Sequence, residues 1–159
     1  MSSPTPNLTW RCLPFDALHA RNLYALLQLR TEVFVMEQNC VFQDMDGADA
    51  RCFHLLGERT DGTLAAYARL VPAGLKFTEA SIGRVVTLPA ARGGGLGHVL
   101  MREAVRALHG LWGVQPIRIG AQARLEAFYR QHGFMRQDRS TVRRGGRDLA
   151  VLDMIKALS

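Results

Sequence analysis

The segment Arg92-Gly93-Gly94-Gly95-Leu96-Gly97 constrains this chain more than any other, because four glycines among six residues admit few backbone paths. A strand, Ser81–Leu88, leads into it and is stopped by Pro89. After it, Leu96, Val99, Leu100, Ala104, Ala107, Leu108 and Leu111 recur at helical spacing, and Gly113 supplies a C-terminal stop. The segment therefore reads as strand, glycine turn, helix. Glycines let backbone N–H groups close around an anion with no Cβ in the way. A helix N-terminus adds roughly half a positive charge. Together they make a phosphate cradle. A Walker-type loop would need Gly-Lys-Ser/Thr, whereas His98-Val99 follows Gly97. Neither Gly93-x-Gly95 nor Gly95-x-Gly97 continues into a GxGxxG/A dinucleotide fingerprint. What remains is Arg92-x-x-Gly95-x-Gly97.

Period and turn signals order the rest of the chain. Leu8, Trp10 and Cys12 alternate as a first strand, and Asp16 is the expected N-cap of a helix over 17–37, broken once. Residues 38–52 read as loop. Phe53–Glu58 and Thr63–Val71 form a hairpin through Asp61-Gly62, expected as a type I′ turn. Ser81–Leu88 is the next strand, Ile117–Ala121 another, and Arg124–His132 a short helix closed by Gly133. Phe134–Val142 and Asp148–Lys156 make the last hairpin through Gly145-Gly146. The order β-α-βββ-α-β-α-ββ predicts an α/β protein with a mixed sheet. At 159 residues the chain is expected to be one domain, 1–159. No apolar run reaches the ~18 residues of a membrane span, and the first ten residues lack a signal-peptide pattern. With three cysteines and no CxxC, the expected location is the cytoplasm.

The net charge is +6, and 18 of the 20 basic residues are arginine. They are spread along the chain with no recognition helix, zinc-finger spacing or aromatic RNA-binding motif, so no nucleic-acid partner is expected. Cys40, Cys52 and His54 are too scattered to argue for a metal. Asp44-Met45-Asp46-Gly47-Ala48-Asp49 misplaces the glycine of a calcium loop and has Leu55 where the last ligand belongs. The acidic run stays open between a solvated loop and a patch that attracts amines. His54 is expected as a strand residue with satisfied ring nitrogens rather than as a base.

Arg92-x-x-Gly95-x-Gly97 resembles the pyrophosphate-binding (Q/R)xxGx(G/A) signature of GNAT acyl-CoA N-acyltransferases. Leu125-Glu126-Ala127-Phe128-Tyr129-Arg130-Gln131-His132-Gly133-Phe134 is similar to that family's second motif, one helix and one strand later. Arg30–Cys40, Asp44-x-Asp46-Gly47, Ile82–Val85 and Gly120–Ala123 resemble its ElaA-type branch.

The resemblance implies an N-acetyltransferase fold and activity, with acetyl-CoA between two splayed parallel strands, Ser81–Leu88 and Ile117–Ala121. It puts the pantetheine arm on the backbone of Val85, Val86 and Thr87. A backbone N–H near Val86 polarises the thioester, and Gln122 stands where many members carry asparagine. The pyrophosphate sits on Arg92, Gly93, Gly94, Gly95, Leu96, Gly97 and His98, with Phe128, Tyr129 and Arg130 flanking the cofactor. An amine attacks directly, and Tyr129 is the general acid for the departing thiolate. Glu37, Asp46, His54, Arg69 and Arg84 fall on the acceptor side. Symmetric pairing sets Arg69 opposite Arg84, with either a loop carboxylate or a carboxylate of the acceptor between them. The implied partners are acetyl-CoA and a small amine or peptide N-terminus, with no metal and no membrane, and a homodimer is the oligomer considered. A non-catalytic acyl-CoA-binding module is the alternative.

Overall fold

A computed structural model describes residues 7–158. The expectations drawn from Met1 to Pro6 lie outside the described residues. Strands β1 (Thr9–Pro14), β2 (Phe53–Glu58), β3 (Leu64–Val71), β4 (Ala80–Thr87), β5 (Ile117–Gln122), β6 (Phe134–Arg144) and β7 (Arg147–Lys156) form one mixed sheet. Its order is β1-β2-β3-β4-β5-β7-β6. Helices α1 (Ala20–Arg30), α2 (Leu96–Trp112) and α3 (Glu126–Arg130) complete the α/β order read from the sequence. No helix among the described residues is long and apolar enough to cross a membrane.

Alternation along the strands feeds two cores. Leu55, Ala66, Ala68 and Leu70 pack with Leu100, Met101, Ala104 and Leu108 of α2. Leu56 and Tyr67, one residue out of phase, pack with Leu26, Leu29 and Val33 on the other face. Full burial of side chains such as Leu100 and Leu108 contributes roughly 1.5–3 kcal/mol each. On β4 the alternation reverses: Ile82 belongs to the α2 side and Val86 to the α1 side, although they share parity. A β-bulge explains this. Tyr67 pairs with Val86 but Arg69 pairs with Gly83, so Ala68 faces two residues, and Arg84 takes a φ of 51°.

The one parallel pair of the described sheet, β4 with β5, holds only at Ala80↔Ile117 and Ser81↔Arg118. Beyond those residues the strands diverge, because β4 is drawn to β3 and β5 to β7 along their whole lengths.

Several local expectations are corrected. Asp16 caps nothing: it lies in a short 3₁₀ turn, Phe15–Ala17, and α1 starts at Ala20 with His19 as its cap. The expected break in the first helix is instead a widening into π-helical geometry over Thr31–Glu37. At Asp61-Gly62 only Gly62 is left-handed, at φ 88°. Asp61 there accepts the Thr63 N–H at 2.9 Å, so the turn is not type I′. The pair of left-handed residues a type I′ turn needs is at Gly145 and Gly146, φ 58° and 75°, which carries the last hairpin out to Arg144 and Arg147.

Candidate active site

The divergence of β4 and β5 opens a cavity of about 730 Å³. Its walls come from β4, β5, the 33–46 segment, the β6–β7 hairpin and α3.

At one end stands the glycine turn. Gly93 and Gly95 have φ of 101° and 77°, values that a side chain would strain. His98 N–H donates to Gly95 O at 3.1 Å, and the N–H groups ahead of it at the head of α2, those of Leu96 and Gly97, lie before the first i−4 acceptor of the helix. Arg92 and Gly97 face the cavity, and a Cβ on Gly97 would lie 3.4 Å from Cε2 of Phe128. Gly93, Gly94, Gly95, Leu96 and His98 are off the cavity wall. Leu96 is buried under the turn, and His98 Nδ1 meets His132 Nε2 at 2.9 Å. Arg130 is solvent-exposed and also off the wall. The Arg92 side chain does not embrace the turn. Its Nη1 donates to both carboxylate oxygens of Glu37 at 2.9 and 3.0 Å, and its Nε and Nη2 donate to Thr87 Oγ1 and O, each at 3.2 Å.

Along the middle, Val85, Val86 and Thr87 form the β4 wall. Leu88 N–H donates to Ala65 O at 2.8 Å, which makes that a hydrogen-bonded antiparallel pair. Two residues back, Val86↔Tyr67 is of the same kind, so the Val86 amide turns toward β3. By alternation the amide of Thr87, next to Val86, turns the other way, toward the splay. Across the cleft, Gln122 Nε2 donates to Gln38 Oε1 at 3.2 Å, and Gln122 Oε1 accepts from Arg124 Nε at 3.0 Å.

Tyr129 is 8% exposed, on the cavity wall, set edge-on against Phe128 and Phe134 at 5.1 and 6.0 Å between ring centroids. Phe128 is half-buried and also lines the cavity. Burial pushes the Tyr129 phenol up to about 12. The phenol is therefore protonated at any neutral pH, and no described residue hydrogen-bonds its hydroxyl.

The other end is an ionic cluster. Arg30, fully buried, reaches Asp44 and Asp49 at 2.8 Å each. Arg69 grips Asp46 with two nitrogens at 2.9 and 3.0 Å and touches Asp49 at 3.1 Å. Arg84 Nε lies 2.8 Å from Asp44 Oδ1, and Lys76 joins Asp46 at 3.0 Å. Burial alone would raise the Asp46 and Asp49 carboxyls. The arginine hydrogen bonds outweigh it and hold both well below the usual carboxylate range.

Arg69 is thus not opposite Arg84. The bulge shifts the register, yet both side chains converge on Asp46, and the anions between them belong to the loop. His54 is corrected as an acceptor-side residue, because it is fully buried and off the cavity. Its Nε2 faces the Asp49 carbonyl at 2.9 Å and must carry the proton, so Nδ1 accepts from Tyr67 O–H at 2.6 Å. Glu37 and Asp46 do line the cavity. The sequence reading missed the structural importance of Arg30, whose signal is an arginine on the apolar stripe of Leu26 and Val33. It also missed Gln38, Phe42, Lys76 and Arg144, which reach the cavity from irregular segments and a hairpin end.

A mixed sheet whose parallel pair splays open, with a glycine turn and helix start at one end of the gap, is the acyl-CoA N-acyltransferase fold. The chain belongs to the acetyltransferase (GNAT) family, whose sequence profile matches residues 17–134. It is 41% identical over 130 residues to protein ElaA of Escherichia coli K12, a match covering 80% of this chain and 84% of the relative. The crystal structure of E. coli ElaA superposes with a TM-score of 0.84 at 36% identity, over 94% of this chain and 99% of that one. An acyl-CoA N-acyltransferase from Pseudomonas aeruginosa gives a TM-score of 0.85 at 41% identity, over 95% of this chain and 100% of that one.

Proposed function

We propose that the protein transfers the acetyl group of acetyl-CoA to a primary amine by direct attack, with no acyl-enzyme. The observation that carries this reading is the phenol of Tyr129, protonated and without a hydrogen-bond partner, on the wall of the cavity that the glycine turn closes at one end. The Pseudomonas relative, described as an acyl-CoA N-acyltransferase, supports the cofactor class. The cavity volume and the Cβ-free approach at Gly97 fit a pantetheine arm ending in a diphosphate.

In this reading the turn from Arg92 to His98 holds the diphosphate through backbone N–H groups. Val85 and Thr87 receive the pantetheine amides on the β4 wall, and the Thr87 N–H polarises the thioester carbonyl, a contribution commonly worth a few kcal/mol. The amine nitrogen bonds to the carbonyl carbon, the C–S bond breaks, and Tyr129 gives its proton to the sulfur. The tyrosinate then recovers a proton from solvent. The ammonium loses one proton before attack and the nitrogen a second once its bond to carbon has formed; both leave to water or to a carboxylate of the cavity, one of them matching the proton the tyrosinate recovers, so one proton is released overall. Gln122 and Phe128, both on the cavity wall, flank the cofactor, while Asp46, Arg69 and Arg84 build the acceptor end rather than grip the acceptor.

The test is thiol release from acetyl-CoA against a panel of small amines and peptides with free N-termini, with products weighed by mass spectrometry. Release that depends on an amine, with a product heavier by one acetyl group, is expected. Tight CoA binding with no amine-dependent release across the panel would favour the binding-module alternative.

A further inference from the structure

Among the described ion pairs of the cavity wall, Glu37–Arg92 is the one with both partners exposed, at 41% and 40%; Lys76, also 40% accessible, pairs with Asp46 at 20%, and Asp44, Arg69 and Arg84 in the cluster are at 18% or less. The pair joins two elements with different tasks. Arg92 opens the glycine turn, and Glu37 ends the π-helical segment that leads into the 38–46 wall. The neighbouring Gln38 reaches the opposite strand through Gln122, so residues 37 and 38 together bridge the mouth of the splay.

We propose that this pair is an exchange switch: the diphosphate of CoA takes Arg92 away from Glu37, and the freed carboxylate is left facing the cavity. The inference rests on the acetyl-CoA reading above. Its physical basis is a competition between anions. An exposed carboxylate–guanidinium pair contributes about 0–1 kcal/mol. A diphosphate carries more charge than Glu37 and is held at the same time by turn N–H groups and the head of α2, where negative charge is favoured. Arg92 is already at the first residue of that turn, so a change of side-chain rotamer moves its guanidinium between the two anions. Once Arg92 has left, Glu37 is the carboxylate of the cavity wall without a cation, because Asp46 stays held by Arg69 and Lys76. A cationic amine entering after CoA then meets an unpaired carboxylate that it would not meet before, which orders the two substrates. By linkage, any cation that occupies Glu37 also tightens CoA.

Calorimetric titration of CoA and of pantetheine, which lacks the diphosphate, into wild type, Glu37→Gln, Arg92→Gln and the double variant tests this. Glu37→Gln removes the competitor, so it should tighten CoA by up to about fivefold and leave pantetheine unchanged. In the Arg92→Gln background the same substitution should have no effect, whereas a simple change in the local field would persist there. Weakened or unchanged CoA binding by a folded Glu37→Gln protein, or an equal gain in both backgrounds, overturns the exchange while leaving the acetyl-CoA reading intact. Wild type that binds no CoA overturns both.

Discussion

Three arginines and three aspartates from four segments close on one another at the inner end of the cavity, with Arg30 and Arg69 only 0% and 3% exposed. At the outer end the charged pair is Glu37–Arg92, about two-fifths exposed, beside a turn whose polar groups are backbone amides. The difference is one of commitment. Buried charges must be matched by partners within the chain, and removing one partner leaves an uncompensated ion. Exposed charges and helix-terminal N–H groups remain available to a ligand. The inner cluster therefore serves to lay the 38–51 segment against β3 and β4. The outer end is the part free to bind.

The largest effect that would sharpen this contrast is at Arg30. Arg30→Met leaves Asp44 and Asp49 short of a buried partner and should cost about 3–5 kcal/mol, lowering Tm by about 10 °C as read by thermal unfolding. CoA affinity measured below the transition should be unchanged. Lost affinity at preserved Tm would break the division between the two ends.

Next is Tyr129→Phe, which keeps the ring against Phe128 and Phe134 and removes the proton. We expect kcat for a saturating amine to fall about 10- to 1000-fold with CoA affinity kept. With the phenol raised to about 12, any alkaline decline of kcat between pH 7 and 9 must come from another group. A parent-level kcat, with chemistry limiting both proteins, would make water the acid.

The smallest effect concerns pH. Burial pushes the His54 imidazole below its ordinary value, and His132 is lowered by burial as well. Each is then easier to protonate in the unfolded chain, so stability rises with pH through this range. It is fully present above about pH 6.5 and falls on acidification below it, by up to ~1.4 kcal/mol per pH unit for His54 and by less for the more solvent-screened His132. Tm measured from pH 7.5 to 5 should fall, and His54→Gln should flatten the slope. An unchanged slope in that variant would deny His54 any part in it.

The outer end was the more legible in sequence, and the reason is locality. A strand, its Pro89 stop, the glycine turn and an apolar helical stripe are contiguous, so each local preference points the same way. Gly133 and the Gly145-Gly146 corner are local signals of the same kind. The inner end depends on partners far apart: Arg30 meets carboxylates 14 and 19 residues on, and Arg69 meets one 23 residues back. The bulge at Arg84 left no trace, since no glycine marks the residue that turns left-handed. Without that bulge the pairing of Arg69 with Gly83 and the turn of the Val86 amide toward β3 could not be read. The motif places the pyrophosphate on the turn that Arg92 opens but says nothing of its side chain, whose contact with Glu37 depends on a segment 55 residues away.

The most direct test of the central claim, that the outer end binds the cofactor while the inner end holds the fold, is Gly97→Val followed by paired calorimetry of CoA binding and thermal unfolding. A Cβ there lies 3.4 and 3.6 Å from two ring carbons of Phe128, beside the head of α2. The account predicts CoA affinity at least about tenfold weaker, a loss of about 1.4 kcal/mol or more, with Tm shifted by only a few degrees. Unchanged CoA affinity in a folded Gly97→Val protein would contradict it.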